Sequence, residues 1–476
     1  MLTGVPDLSP DWLETLVALA YALAALAVTV HVLLTKRDVR AALGWIALAW
    51  LTPAVGALIY YGFGINRVSR RATRIGTFQG APAPAVPAPP ALLPEIADLA
   101  AIVGRVTGHA LAPGNAVALF RGGDEAYPAM LAAIHEARHS IALASYIFRG
   151  DRAGQDFIDA LAGAQERGVA VRVLIDSVGS GYVYSSALRR LHARGVPAAR
   201  FLHTWLPWRM PFLNLRNHKK LLIVDGAIGF TGGLNIGNEY AATLARGDYA
   251  DDVHICAHGP ITRQFMESFA QDWAFTTGET LDQEIWWPTL AQTGSVCARA
   301  VRSGPDTDIG KLEAILGAAL AQARSRVRIV TPYFLPDQKL QFAIAQAALR
   351  GVAVEILIPE HCDSAFIDWA MRAHIQFLSE APDLVRVCPA PFDHAKLMTV
   401  DGEWCLVGSS NWDTRSLRLN FELDVECYDR ALTGQIDALI DGRLARSRPL
   451  GRAALAARPV LMRLRDAAAR LFLPYL

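Results

Sequence analysis

Two segments of this 476-residue chain repeat one spacing of reactive side chains, His218/Lys220/Asp225 and His394/Lys396/Asp401. With 6 lysines and 12 histidines, composition alone gives roughly 0.15 His-x-Lys pairs, and about 0.01 with Asp five residues after the Lys. In a strand, residues i and i+2 project to one side, so each motif presents an imidazole and an ammonium group together. Asn235 and Asn411 follow, separated by the same 176 positions as the two histidines. Two imidazoles, two ammonium groups and two amides suit displacement at phosphorus. One His attacks, the other protonates the leaving alkoxide, and Lys220, Lys396, Asn235 and Asn411 stabilise the non-bridging oxygens. Gly232 and Gly408, with Gly233 and Ser409 behind them, are expected to let backbone amides approach the phosphate. Asp225 and Asp401 complete the motif, but each precedes a Gly at a strand-to-turn junction and reads as structural.

Positioning such groups requires paired elements, and the chain contains them. SIALASYIF (140–148), a helical stretch to Arg167 and VAVRVLID (169–176) are matched by VRIVTPYFL (327–335), a helical stretch to Arg350 and VAVEILIP (352–359). Continuous β-branched strands flanking a helix indicate α/β units with mixed, largely parallel sheets. Two such repeats, each bringing one histidine, are expected to meet about a pseudo-twofold axis. The expected divisions are 1–75, a transmembrane hairpin with a basic flank; 76–94, a Pro/Ala-rich linker; 95–290, the first repeat; and 291–476, the second.

The hairpin reading rests on two uncharged runs, Thr15 to Leu34 and Ala41 to Phe63, each long enough for a hydrocarbon core of about 30 Å. No Lys or Arg precedes Lys36, unlike a secretory signal, and Pro53 and Gly56 leave room for a bent second segment. The positive-inside tally is nearly balanced between Lys36, Arg37 and Arg40 in the turn and Arg67, Arg70, Arg71 and Arg74 beyond it. A net charge of +1 supplies no field for nucleic acid. The six cysteines show no C-x-x-C pair and read as buried small hydrophobes, without a zinc site or disulfide framework.

The segments NHKKLLIVDGAIGFTGGLNIGNEY (217–240) and DHAKLMTVDGEWCLVGSSNWDTRSLRLNFELD (393–424) resemble the paired signature of the phospholipase D superfamily. Together with the hydrophobic hairpin, the TGG-x-N and GSSNWDTRSLRLNFE sequences are similar to bacterial cardiolipin synthases. That resemblance implies a phosphatidyltransferase joining two phosphatidylglycerol molecules into cardiolipin with release of glycerol, through a phosphohistidine and with no metal or cofactor. It implies His218 as nucleophile and His394 as general acid, although near-symmetry of the motifs leaves the reverse assignment open. Glu422 matches the family's carboxylate that holds the neighbouring imidazole. Asp252 is the expected partner of His218, with adjacent Asp251 as alternative, because the family's Trp-Arg-Asp reads Ala-Asp-Asp here. Gly233 replaces a Ser of the general pattern, as in the cardiolipin synthase subgroup. The partners implied are phosphatidylglycerol and cardiolipin, with no nucleic acid and a homo-oligomer left open. The expected location is the bacterial inner membrane, multi-pass, with the catalytic part cytosolic.

FLHTWLPWRMPFLNLR (201–216) reads either as a hydrophobic loop dipping into the bilayer or as packing between repeats. The Arg-rich stretch 452–476 reads either as an interfacial helix on anionic lipid or as a docked surface helix. The rivals to transfer are hydrolysis, with water or another alcohol as acceptor, and a lipid-binding scaffold. Intact His and Lys in both repeats disfavour the scaffold.

Overall fold

The computed structural model describes residues 10–36, 39–65, 94–205, 215–247, 249–306, 308–376 and 384–472. The Pro/Ala-rich linker and most of the Trp-rich stretch before His218 lie outside these residues; Trp205 is described and is exposed. The chain divides into two compact units, Met1–Arg71 with Thr204–Phe212, and the remainder.

In the N-terminal unit the helix Pro10–Thr35 contains one apolar stretch, Trp12–Thr35, long enough to cross a membrane. The second uncharged run does not form a single span. It breaks at Thr52 into helices Val39–Leu51 and Pro53–Ile59, followed by a wider turn at Tyr60–Gly64. Pro53 is the cause: its ring pushes the preceding residue out of the helical region, and Thr52 sits at φ −135°, ψ 69°. The chain bends back tightly there, since a Cβ at Gly56 would lie 2.3 Å from the Leu48 carbonyl oxygen. Polar contacts tie the bent segment to the long helix, His31 to the Tyr60 hydroxyl at 2.6 Å and Lys36 to the Gly64 carbonyl at 2.6 Å.

In the large unit the first half supplies β1 (Ala112–Arg121), β2 (Ser140–Ser145), β3 (Ala170–Asp176), β4 (Ala198–Phe201), β5 (Arg216–Asn217), β6 (Leu221–Val224), β7 (Ile228–Gly232), β8 (Ala250–Asp251) and β9 (Val253–His258). The second half supplies β10 (Val296–Ser303), β11 (Arg326–Val330), β12 (Ala353–Pro359), β13 (Val385–Cys388), β14 (Phe392–Asp393), β15 (Leu397–Val400), β16 (Trp404–Gly408), β17 (Asn420–Tyr428) and β18 (Arg448–Pro449). Their order is β18-β13-β12-β11-β15-β16-β17-β10-β1-β9-β7-β6-β2-β3-β4. The sequence of pairings on one side of the antiparallel β10–β1 junction is repeated on the other, so duplication is visible in the topology itself.

The fold is α/β and the sheet mixed, but along this path parallel pairing is confined to β2-β3-β4 and β11-β12-β13. The other neighbours along this path are antiparallel; among them β6-β7 and β15-β16 return through tight Asp225-Gly226 and Asp401-Gly402 turns that leave no room for a crossover. The crossovers that do exist are helical. Arg152–Glu166 is capped by the Asp151 carboxylate and Gln338–Leu349 by that of Asp337. Each ends two residues before a glycine in the left-handed region, Gly168 at φ 89° and Gly351 at φ 87°. There is one apolar core around Phe157, Leu161 and Val173 and another around Ile315, Ile329 and Ile356, and the latter takes in Ile96, Leu99 and Val103 of the helix Pro94–Thr107, which was expected in the first repeat.

Candidate active site

Two short exchanges of backbone between halves build the site. β5, just before His218, pairs in parallel with the start of β17, and β14, just before His394, pairs in parallel with β8. The amide of His218 donates to the Phe421 carbonyl at 2.9 Å, and that of His394 to the Asp251 carbonyl at 2.7 Å. Each exchange is anchored by buried charge. Lys219 and Asn217 both donate to Asp272, at 2.8 and 2.9 Å, and Arg443 donates to Asp393 at 2.6 Å while reaching Asp251 at 3.3 Å.

This exchange overturns the expected pairing of carboxylate and imidazole. Asp252 lies 2.6 Å from Nδ1 of His394, not beside His218, and Glu422 lies 2.8 Å from Nδ1 of His218. The carboxylate follows the parallel strand pair, so each histidine is oriented by an acid from the opposite half. Asp251 turns instead to Arg443. The two acids occupy equivalent strand positions, yet Asp252 is 17 residues beyond Asn235 and Glu422 only 11 beyond Asn411, a spacing that hides the equivalence in the sequence.

The glycine-rich segments differ from expectation as well. The amides of Gly233 and Ser409 donate to the Val253 and Leu423 carbonyls of the neighbouring strands, at 3.0 and 3.1 Å, and so are not held out toward a ligand. The Ser409 hydroxyl donates to Glu422 at 2.6 Å. What the glycines provide is room for acids: a Cβ at Gly233 would lie 2.0 Å from the Asp252 carboxylate, and one at Gly408 2.1 Å from that of Asp424. The Gly-for-Ser change at 233 therefore accompanies the shorter Asp at 252.

Asn235 receives the Ile147 amide at 3.1 Å and donates to the Tyr240 hydroxyl at 2.6 Å, whereas the buried Oδ1 of Asn411 has no hydrogen-bond partner. Lys220 donates to the His218 carbonyl at 2.6 Å, and Lys396 to that of His394. Asp225 and Asp401 sit at the far ends of their strands. Asp225 accepts the amides of Arg138, His139 and Ser140, and Asp401 those of Arg324, Ser325 and Arg326.

Two residues had no distinct sequence signal. Tyr146 stands edge-on to His218 at 4.7 Å, with Lys220 Nζ 5.3 Å from its ring centre, and Tyr240 stands edge-on to His394 at 5.8 Å. Tyr146 follows β2, and Tyr240 ends the short 3₁₀ turn Asn238–Tyr240 after β7. Among the described residues, no group of three or more His, Cys, Asp or Glu side chains is arranged to hold a metal ion.

A family model described as cardiolipin synthase, PLD-like domain, matches residues 130–273 and 316–443, one stretch in each half of the sheet. The chain belongs to this cardiolipin synthase family. Relatives named cardiolipin synthase include one from Geobacillus kaustophilus, 31% identical over 83% of this chain and 81% of its own length. Another, from Listeria monocytogenes, is 30% identical over 94% of this chain and 96% of its own. The crystal structure of the phosphatidylserine synthase of Haemophilus influenzae has the same fold, with a TM-score of 0.59 at 16% identity, covering 80% of this chain and all of that one.

In this cardiolipin synthase family member the two halves differ electrostatically. Burial pushes the Asp252 carboxyl up, but the Lys396 charge and the His394 imidazole outweigh it and hold Asp252 below the usual carboxylate range. Burial prevails at Glu422, which is raised despite Lys220 and its hydrogen bonds. Both histidines are lowered, chiefly by burial. His218, repelled by Lys220 and Lys396, is lowered well below the ordinary imidazole value, whereas Asp252 opposes the shift at His394.

Proposed function

We propose that this membrane-associated protein is a cardiolipin synthase, moving a phosphatidyl group from one phosphatidylglycerol to a hydroxyl of a second. His218 Nε2 attacks phosphorus, the bond to the glycerol headgroup breaks, and His394 gives its proton to the departing glycerol oxygen. His394 then takes the proton of the incoming hydroxyl as the new P–O bond forms and His218 leaves. The observation that carries the reading is the pair of contacts exchanged between halves, His218 with Glu422 and His394 with Asp252, which ties Nδ1 of both rings and frees both Nε2 atoms.

The unequal acids favour this assignment over its reverse. Asp252 opposes the loss of charge at His394, so His394 keeps its proton more readily than His218, as a general acid must, while His218 beside a less acidic Glu422 stays neutral, as a nucleophile must. Lys220 and Lys396 neutralise the non-bridging oxygens, and the Nδ2 group of Asn411 donates to them. The lipid partners follow from this chemistry. Both chain ends of the N-terminal unit lie on the cytosolic side in this reading, with the bent second segment completing a multi-pass anchor.

Incubating purified protein with phosphatidylglycerol and resolving the lipids tests the proposal. Cardiolipin and glycerol are expected in step, and phosphatidic acid without cardiolipin would replace transfer by hydrolysis. His218→Ala and His394→Ala should each lose at least about 10²-fold to 10⁴-fold in turnover.

A further inference from the structure

The helix Val460–Arg470 is amphipathic in the inverse sense for a helix facing water. Its buried residues are Asp466 and Ala469. Asp466 is held by Arg458 at 2.5 Å and Arg465 at 2.8 Å, and the Arg465 guanidinium lies 4.2 Å from the centre of the Trp369 ring. Charge is thus turned inward. On the opposite side, at helical spacing, Val460, Leu461, Leu464 and Leu471 are 67, 81, 60 and 77% exposed. Phe472 extends the row, its ring edge-on to that of Phe366 at 5.6 Å. Surface helices normally place such residues against the core, and a contiguous apolar row on the outside marks a contact surface.

Charge decides which contact. From Ala445 to Leu476 there are seven arginines and one aspartate, in a chain whose total is +1, and Arg463 is exposed at the border of the apolar row. A second copy would bring the same arginines against these. An anionic lipid surface instead offers an apolar interior beneath a negatively charged rim, the complement of this face.

We propose that the helix Val460–Arg470, with Phe472 and Phe366, docks the catalytic unit on an anionic bilayer independently of the long N-terminal helix. The proposal deepens the functional reading, on which it rests for substrates that reside in a bilayer. Seated this way, the apolar row enters the region just below the headgroups while Arg463 meets lipid phosphates.

The test uses the full chain in a Cys362→Ser background, with an environment-sensitive fluorophore on Leu464→Cys and, as control, on Arg152→Cys, whose native side chain is 74% exposed. In vesicles of phosphatidylglycerol and phosphatidylethanolamine, the Leu464 label should shift to the blue. A nitroxide at a shallow acyl position should quench it at least about twofold, matching a depth of about 5–10 Å. The Arg152 label should do neither. Emission equal to the control, or a blue shift without lipid quenching that disappears on dilution in detergent, overturns the proposal; the latter would mean a second copy covers the face. Quenching in a protein that does not convert phosphatidylglycerol would uphold docking and sink the functional reading. The double variant Leu461→Glu/Leu464→Glu should lose about tenfold in turnover of bilayer lipid yet retain turnover of dispersed short-chain phosphatidylglycerol. Equal loss on both substrates overturns the proposal.

Discussion

Burial brings the Lys220 ammonium down to about 7, with Lys396 adding repulsion and Glu422 and Asp252 restoring part of the loss. A base with a lowered value is protonated below it and neutral above it, so raising the pH through about 7 removes a charge meant for the phosphate. kcat/KM, which reports the free enzyme, should therefore fall on the alkaline side, and Lys220→Arg should remove the Lys220 part of that limb, leaving the part due to His394, because a guanidinium stays charged throughout. A pH–rate profile of both proteins checks this. The exchanged acids give a second prediction. In thermal or denaturant unfolding, Glu422→Gln and His218→Ala should be coupled by about 0.5–3 kcal/mol, whereas Asp252→Asn and His218→Ala should add within about 0.5 kcal/mol. Coupling in the Asp252 combination alone would restore the pairing that the motif spacing suggests.

At the scale of elements, the last residue of each H-x-K-x₄-D motif holds the sheet together. Asp225 is at φ 51° and Asp401 at φ 54°, and each closes a hairpin while accepting three amides at the start of a neighbouring strand, β2 or β11. Asp225→Ala should leave those donors to water and cost about 2–4 kcal/mol in unfolding measurements. Turnover per folded molecule should change far less than in the histidine variants. The motif letters made these aspartates look equivalent to His and Lys, but the Asp-Gly setting already favoured a turn. The strands and crossover helices were likewise readable, since apolar β-branched runs and Arg-Gly helix ends are local signals. The predominance of antiparallel pairing was not, because continuous apolar strands occur wherever both sheet faces are covered.

For the whole molecule, side matters as much as site. The long helix Trp12–Thr35 associates the chain with a membrane, and a cytosolic catalytic unit predicts a definite labelling pattern. Arg152→Cys, in the Cys362→Ser background, should react with a membrane-impermeant maleimide in inverted inner-membrane vesicles and stay unreacted in intact spheroplasts. The opposite pattern would reverse the orientation. The two halves of the large unit are also interlocked, since each imidazole is hydrogen-bonded to an acid lying in the other half of the chain.

The sequence by itself determined the candidate reactive groups, the duplication and the apolar N-terminus, because each is carried by residue type at fixed spacing. It also offered Glu422 and either Asp252 or Asp251 as the acids beside the imidazoles. Which acid meets which imidazole, the placement of Tyr146 and Tyr240, and the outward apolar face of Val460–Arg470 were decided only by tertiary structure. These depend on strands exchanged between halves and on which side of a helix meets its neighbour, contacts between residues far apart in the chain that no local pattern encodes.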